Sequence, residues 1–196
     1  MTKKELIWRE ILFQGQENKI FEFTQKELAE KFGFSLSTIF NALKIPRATG
    51  AISVSGRNFT VRSLEKFLYI WATQRNLKKE IIYETHTNMS AKEMEGLAPD
   101  GIIFGTYSAY SQKYLSAPAE YDKVYFYAEP EKLAEIEKRF PKLKGYANFF
   151  VLKADPYLSN FAPFTPDVQT FCDLWNLPDW QAKEFLEKLK NKIILT

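Results

Sequence analysis

Residues 24–62, TQKELAEKFGFSLSTIFNALKIPRATGAISVSGRNFTVR, constrain the fold of this chain more than any other stretch. Thr24 opens a helix, and Glu27 stands at the capping-box spacing three residues on. Leu28, Ala29 and Phe32 form its apolar face. Gly33 supplies a turn, where a positive φ is cheap only for glycine. Ser35 caps a second helix with Ile39, Phe40 and Leu43 as core candidates, and Pro46 stops it soon after. Residues 51–54 and 58–62 alternate as two strands around a tip at Gly56. The order is helix, tight turn, helix, hairpin. Ala29, Gly33 and Ile39 have the spacing that two crossing helices require: a small residue at the crossing, a glycine in the turn, an apolar residue where the second helix leans back.

The same stretch is selectively charged. From Lys31 to Leu64 there are five basic residues, Lys31, Lys44, Arg47, Arg57 and Arg62, and no Asp or Glu, in a chain with 24 acids. A surface of that kind suits a polyanion. The pattern resembles the helix-turn-helix superfamily, and the hairpin extends the likeness to a winged helix-turn-helix. The resemblance implies that residues 35–43 are a recognition helix with Ser37, Thr38, Asn41 and Lys44 outward, suited to a major groove. Asn41 can pair two hydrogen bonds with adenine. Ser37 and Thr38 suit phosphates or variable base contacts, and Lys44 and Arg47 suit phosphates. Arg57 and Asn58 at the wing tip are expected at a minor groove, with Arg62 beside them. Double-stranded DNA is the expected partner. The alternative is a winged helix that contacts protein.

Composition bounds the remainder. Residues 1–76 hold 12 Lys/Arg against 7 Asp/Glu, and residues 77–196 hold 15 against 17, so two modules are expected with a linker near 76–80. Hydrophobic content of 45% supplies material for a core in each. One Cys, Cys172, excludes an intramolecular disulfide, and with His86 as the only His no Cys/His zinc site is expected. Arg9 and Glu10 interrupt the N-terminal apolar run, so no signal peptide is expected. No run approaches a membrane span, and a cytoplasmic protein is the expectation. Flanking the central motif, residues 3–14 predict a helix ended by Gly15, residues 19–23 a short strand, and residues 63–75 a helix built on Leu64, Phe67, Leu68 and Trp71.

From residue 80 the predicted order is strand 80–85, helix 91–97, strand 102–104, helix 106–115, strand 123–128, helix 130–140, strand 147–153, then helices at 167–175 and 178–192. Such alternation implies helices layered on a sheet. Gly105–Thr106 opens a helix after an apolar strand, and Asp122 precedes the next strand. Nucleotidyltransferases use that layout for phosphates and magnesium. The second carboxylate is missing here: Val124 and Phe126 take the alternating positions, and Glu129 is out of phase. One acid makes a poor magnesium site, so no catalytic residues, metal or cofactor are expected, and Gly105 reads as a tight turn. Cys172 reads as a small buried residue, His86 as a surface or hydrogen-bonded one, and the tyrosines from Tyr107 to Tyr127 as core or self-association surface.

A winged helix followed by a nucleotidyltransferase-like domain without its catalytic acids resembles the AbiEi family, antitoxins and transcriptional regulators of type IV toxin–antitoxin systems. Val168, Gln169, Asp173, Leu174, Leu177 and Pro178 are similar to the family's terminal pattern. The resemblance implies an α+β protein, with residues 1–76 as the DNA-binding domain and residues 77–196 as the α/β domain tied to antitoxicity. It also implies repression of the chain's own promoter through operator repeats, and a functional link to a nucleotidyltransferase toxin without stable contact. A scaffold module that binds a protein or nucleotide is the competing expectation.

Overall fold

Thr2 and Glu5 cap each other's backbone N–H groups and so start the first helix, α1 (Lys3–Glu17). The computed structural model describes residues 1–56 and 58–194. The chain divides into two compact units, residues 1–75 together with the end of the chain from Lys190, and residues 76–189.

In the first unit β1 (Glu22–Thr24), α2 (Gln25–Phe32), α3 (Leu36–Ala48), β2 (Ile52–Ser55), β3 (Asn58–Val61) and α4 (Leu64–Gln74) follow α1. The strands form an antiparallel sheet in the order β1-β3-β2. Trp8, Ile11, Ile39, Phe59, Phe67 and Trp71 are fully buried at its centre, each such side chain contributing roughly 1.5–3 kcal/mol. Trp8 meets Phe67 edge to face, and Phe23 stacks on Phe59 across β1 and β3. Beneath them the buried Glu5 carboxylate accepts from the Arg75 guanidinium at 3.2 Å and from the Trp71 indole at 3.4 Å. Burial alone raises the Glu5 pKa, but the Arg75 charge and the Thr2 hydrogen bonds outweigh it and hold the group below its ordinary range.

Two expectations change here. Gly15 does not end α1. The helix continues to Glu17, and Gly15 within it is a close-approach site: an added Cβ would come within 2.9 Å of Leu64 Cδ1. The chain then turns at Lys19, whose φ is +55°, so the strand begins at Glu22 and not at residue 19.

The second unit contains β4 (Ile81–Thr85), α5 (Ala91–Gly96), β5 (Ile103–Phe104), α6 (Thr106–Tyr114), β6 (Val124–Ala128), α7 (Leu133–Arg139), β7 (Phe149–Lys153), α8 (Asp167–Trp175) and most of α9 (Trp180–Ile194). The sheet order is β4-β7-β6-β5; β6 and β7 are parallel and the other pairs antiparallel. One face carries Val124, Phe126, Ala128, Phe149 and Val151, packed with Met94, Ile136 and Phe140 from the α5 and α7 side. The opposite face carries Tyr125 and Tyr127. There Tyr127 donates to Asp173 of α8 at 2.6 Å, and Tyr107 of α6 lies 6.4 Å from Tyr125. Every residue of β6 is buried, as befits a strand covered on both faces. Cys172 is buried, and Tyr107, Tyr110, Tyr125 and Tyr127 belong to the core. His86 is hydrogen-bonded through both ring nitrogens, to Tyr146 O and Asn88 Oδ1.

Candidate nucleic-acid interface

The arrangement around α3 follows from how α2 ends. Gly33 adopts φ +63°, donating to Glu30 O, and Phe34 N–H reaches back to Ala29 O at 3.0 Å. These two bonds close α2 in a Schellman arrangement, and Phe34 stacks on Phe32. The chain is thereby turned into Ser35, whose hydroxyl accepts from Thr38 N and starts α3.

Ile39, Ala42, Leu43 and Pro46 form the buried stripe of α3. Pro46 sits inside the helix, which continues to Ala48. A proline there cannot donate to the carbonyl four residues back. That carbonyl belongs to Ala42, and the buried Trp8 indole N–H donates to it at 2.8 Å. The bond that Pro46 cannot make is supplied by α1, so the helix persists and is pinned from beneath.

The outer side of α3 presents Ser37, Asn41, Lys44 and Arg47, all exposed. Phe40 joins them. It was expected in the core, but Ile39 and Leu43 fill the inner row and Phe40 falls on the outer flank, 47% exposed. Lys44 Nζ lies 5.5 Å over its ring. Leu36 and Ile45, 56% and 39% exposed, flank the same surface. Thr38 is half-buried, and its hydroxyl lies 2.9 Å from Ser35 Oγ, as does that of Ser37. Asn41 and Lys44 are the central exposed polar groups.

The other candidates are placed as follows. Asn58 is exposed, opposite Ser55 across β2 and β3. Arg62 is exposed just beyond β3, and its Nε donates to Ser53 Oγ at 2.7 Å. Arg57 lies outside the described residues. Lys31, within the acid-free stretch, pairs with Glu10 of α1, so the fold brings an acid to one of the five cations. A groove of about 350 Å³ runs beside α3, lined by Gln25, Phe40, Lys44, Arg47 and Val54 over Leu43. Gln25 went unnoticed in the sequence; its position directly after the Thr24 cap, at the start of α2, was the available signal.

Charge separates the two units. The first holds 14 Lys/Arg against 7 Asp/Glu and the second 13 against 17. In the second unit Asp122 is exposed at the start of β6, whereas Gly105 and Thr106 are buried. Gly105 has an ordinary negative φ and is needed because an added Cβ would meet the Tyr127 ring at 3.0 Å; the strained residue is Thr106, at φ +47°. Among the described residues no group of three His, Cys, Asp or Glu side chains is placed to hold a metal ion, and no helix is long and apolar enough to cross a membrane. Comparison with family models, curated proteins and solved structures finds no match.

Proposed function

We propose that the first unit is a winged helix-turn-helix that binds duplex DNA, with α3 as its recognition helix and the β2–β3 hairpin as its wing. The observation that carries this reading is the exposed face of α3. It presents Asn41, Lys44 and Arg47 within a stretch free of acids from residue 31 to residue 64. Asn41 reads a base edge, Lys44 and Arg47 hold phosphates, and Arg57, Asn58 and Arg62 act from the wing. We further propose that the chain is a transcriptional regulator, the autoregulating antitoxin of a type IV toxin–antitoxin pair, working in the cytoplasm. In this reading the second unit is nucleotidyltransferase-like and non-catalytic. The lone Asp122 and the burial of the Gly105–Thr106 turn support that part.

The test is a gel shift with the DNA upstream of the chain's own coding sequence, across a salt series. Four phosphate contacts give a slope of log affinity on log salt of about −3 to −4. Asn41→Ala relaxes sequence preference by about 1–3 kcal/mol, and Arg57→Ala weakens all sequences together. Absence of any shift at low salt removes the DNA reading. A second reading, protein contact through α3, is favoured by the exposed Leu36, Phe40 and Ile45; it predicts binding that salt leaves nearly unchanged. Rescue of growth when the chain is co-expressed with a neighbouring nucleotidyltransferase tests the antitoxin part.

A further inference from the structure

The face of the second sheet that carries Tyr125 is not covered evenly. Beside β4 and β7 it opens into a cleft of about 740 Å³, within the roughly 300–1,000 Å³ of small-ligand sites. Its floor is aromatic. Tyr125 of β6 and Phe150 of β7 are in register and stack face to face, 8° from parallel with ring centres 4.6 Å apart, which leaves the outer face of Phe150 for a ligand. Tyr146 forms a further wall and is 84% exposed. Around these rings the cleft gathers Lys78, Lys123 and Lys142 against one lining carboxylate, Glu84. Lys123 is paired with Asp179 and lies 5.6 Å from the Tyr146 ring centre. Lys142 donates to the backbone oxygen of Glu84 and lies over the Tyr83 ring.

Three lysines line the cleft in a unit whose acids outnumber its bases, Lys123 with Asp179 as its counter-ion. Aromatic ring faces complement a planar heterocycle, and lysines lining the same cleft complement the phosphate of the same molecule. We infer that this cleft binds a free nucleoside phosphate, with the base against the Phe150 and Tyr146 rings and the phosphates toward Lys78, Lys123 and Lys142. The site is separate from the buried Gly105–Thr106 turn and goes beyond the proposed DNA contact.

Fluorescence anisotropy of N-methylanthraniloyl ATP and GTP with the full chain tests this. Saturable binding is expected with Kd below about 1 mM. Tyr146→Ala removes an exposed ring and leaves the fold intact. Phe150→Leu keeps apolar volume but removes a stacking face. Each is expected to weaken binding about tenfold with an unchanged circular dichroism spectrum; Tyr146→Ala leaves the melting temperature in place, and Phe150→Leu lowers it by a few degrees through the lost Tyr125 stack. Lys142→Gln is expected to weaken it about threefold and to reduce its salt dependence. Any of four results overturns the inference: no saturation, equal affinity for inorganic tripolyphosphate, unchanged affinity in both aromatic variants, or displacement by a single-stranded hexanucleotide at lower concentration than by the mononucleotide. Duplex-DNA binding by unit 1 is read separately, so either proposal can fail alone.

Discussion

Pro46 and Trp8 show how a single residue's deficit is met from another element. The Ala42 carbonyl is deprived of its helical donor by Pro46 and satisfied by the Trp8 indole at 2.8 Å. Trp8→Phe retains most of the buried ring but leaves that carbonyl without its donor, at a cost of about 1–3 kcal/mol. Adding Pro46→Ala restores a backbone donor, so the double variant should recover part of the loss in urea unfolding. Strict additivity of the two changes would rule out the coupling. Glu5 is the second such residue. Its carboxyl pKa is lowered in the folded state, so its contribution is fully present above the unfolded value of about 4.3 and lost as pH falls through the lower folded value. Glu5→Gln should cost about 3 kcal/mol near neutral pH, since it leaves the buried Arg75 charge without its counter-ion. The gap between wild type and variant should begin to narrow below about pH 4.3 and close only as pH falls through the lower folded value of Glu5. A gap that persists unchanged to low pH would refute the charge argument. Neither pairing was legible in the sequence, because each joins positions 34 or 70 residues apart.

Elements were far more legible than their partners. Period-3.6 apolar spacing located α2, α3 and α4 to within a few residues, helped by the Thr24 and Ser35 caps for the first two. The Thr2–Glu5 box at the head of α1 follows the same rule. Where spacing misled, a tertiary contact decided. Gly15 looked like a stop signal but is an approach site, and Phe40 matched the apolar pattern of α3 yet sits outside its filled inner row. Phe40 tests the role of the element. On an exposed position Phe40→Ala should change stability by less than about 0.5 kcal/mol. If α3 enters a major groove, the same change removes an apolar contact suited to thymine methyls and weakens operator binding by about 1 kcal/mol or more. The turn before α3 can be tested without touching its surface. An added Cβ at Gly33 meets nothing within 4 Å, so Gly33→Ala reports only the φ of +63° and should cost about 1 kcal/mol.

At the scale of the whole molecule, the informative quantity is how side chains divide between the units. The lysines at 190 and 192 fall with the first unit, which concentrates positive charge there more strongly than a break near residue 76 implied. Long-range assignment of a terminal turn leaves no local mark in a sequence, since the periodicity of α9 runs unbroken from Ala182 through Phe185 and Leu189 to Ile193. The aromatic residues divide as sharply. Trp8 and Trp71, both buried, lie in the first unit, whereas Trp175 and Trp180 in the second are exposed. Nine of the ten tyrosines lie between residues 76 and 189. The blue-shifted part of the tryptophan emission therefore reports the first unit, and near-ultraviolet tyrosine dichroism the second. Ile193 is buried on the turn assigned to the first unit. Ile193→Ala should cost about 2–5 kcal/mol there. On heating, the tryptophan transition should move down by at least about 8 °C, while the tyrosine transition stays in place. Equal displacement of both signals would mean that Ile193 supports one cooperative structure, and the division at Lys190 would have to be redrawn.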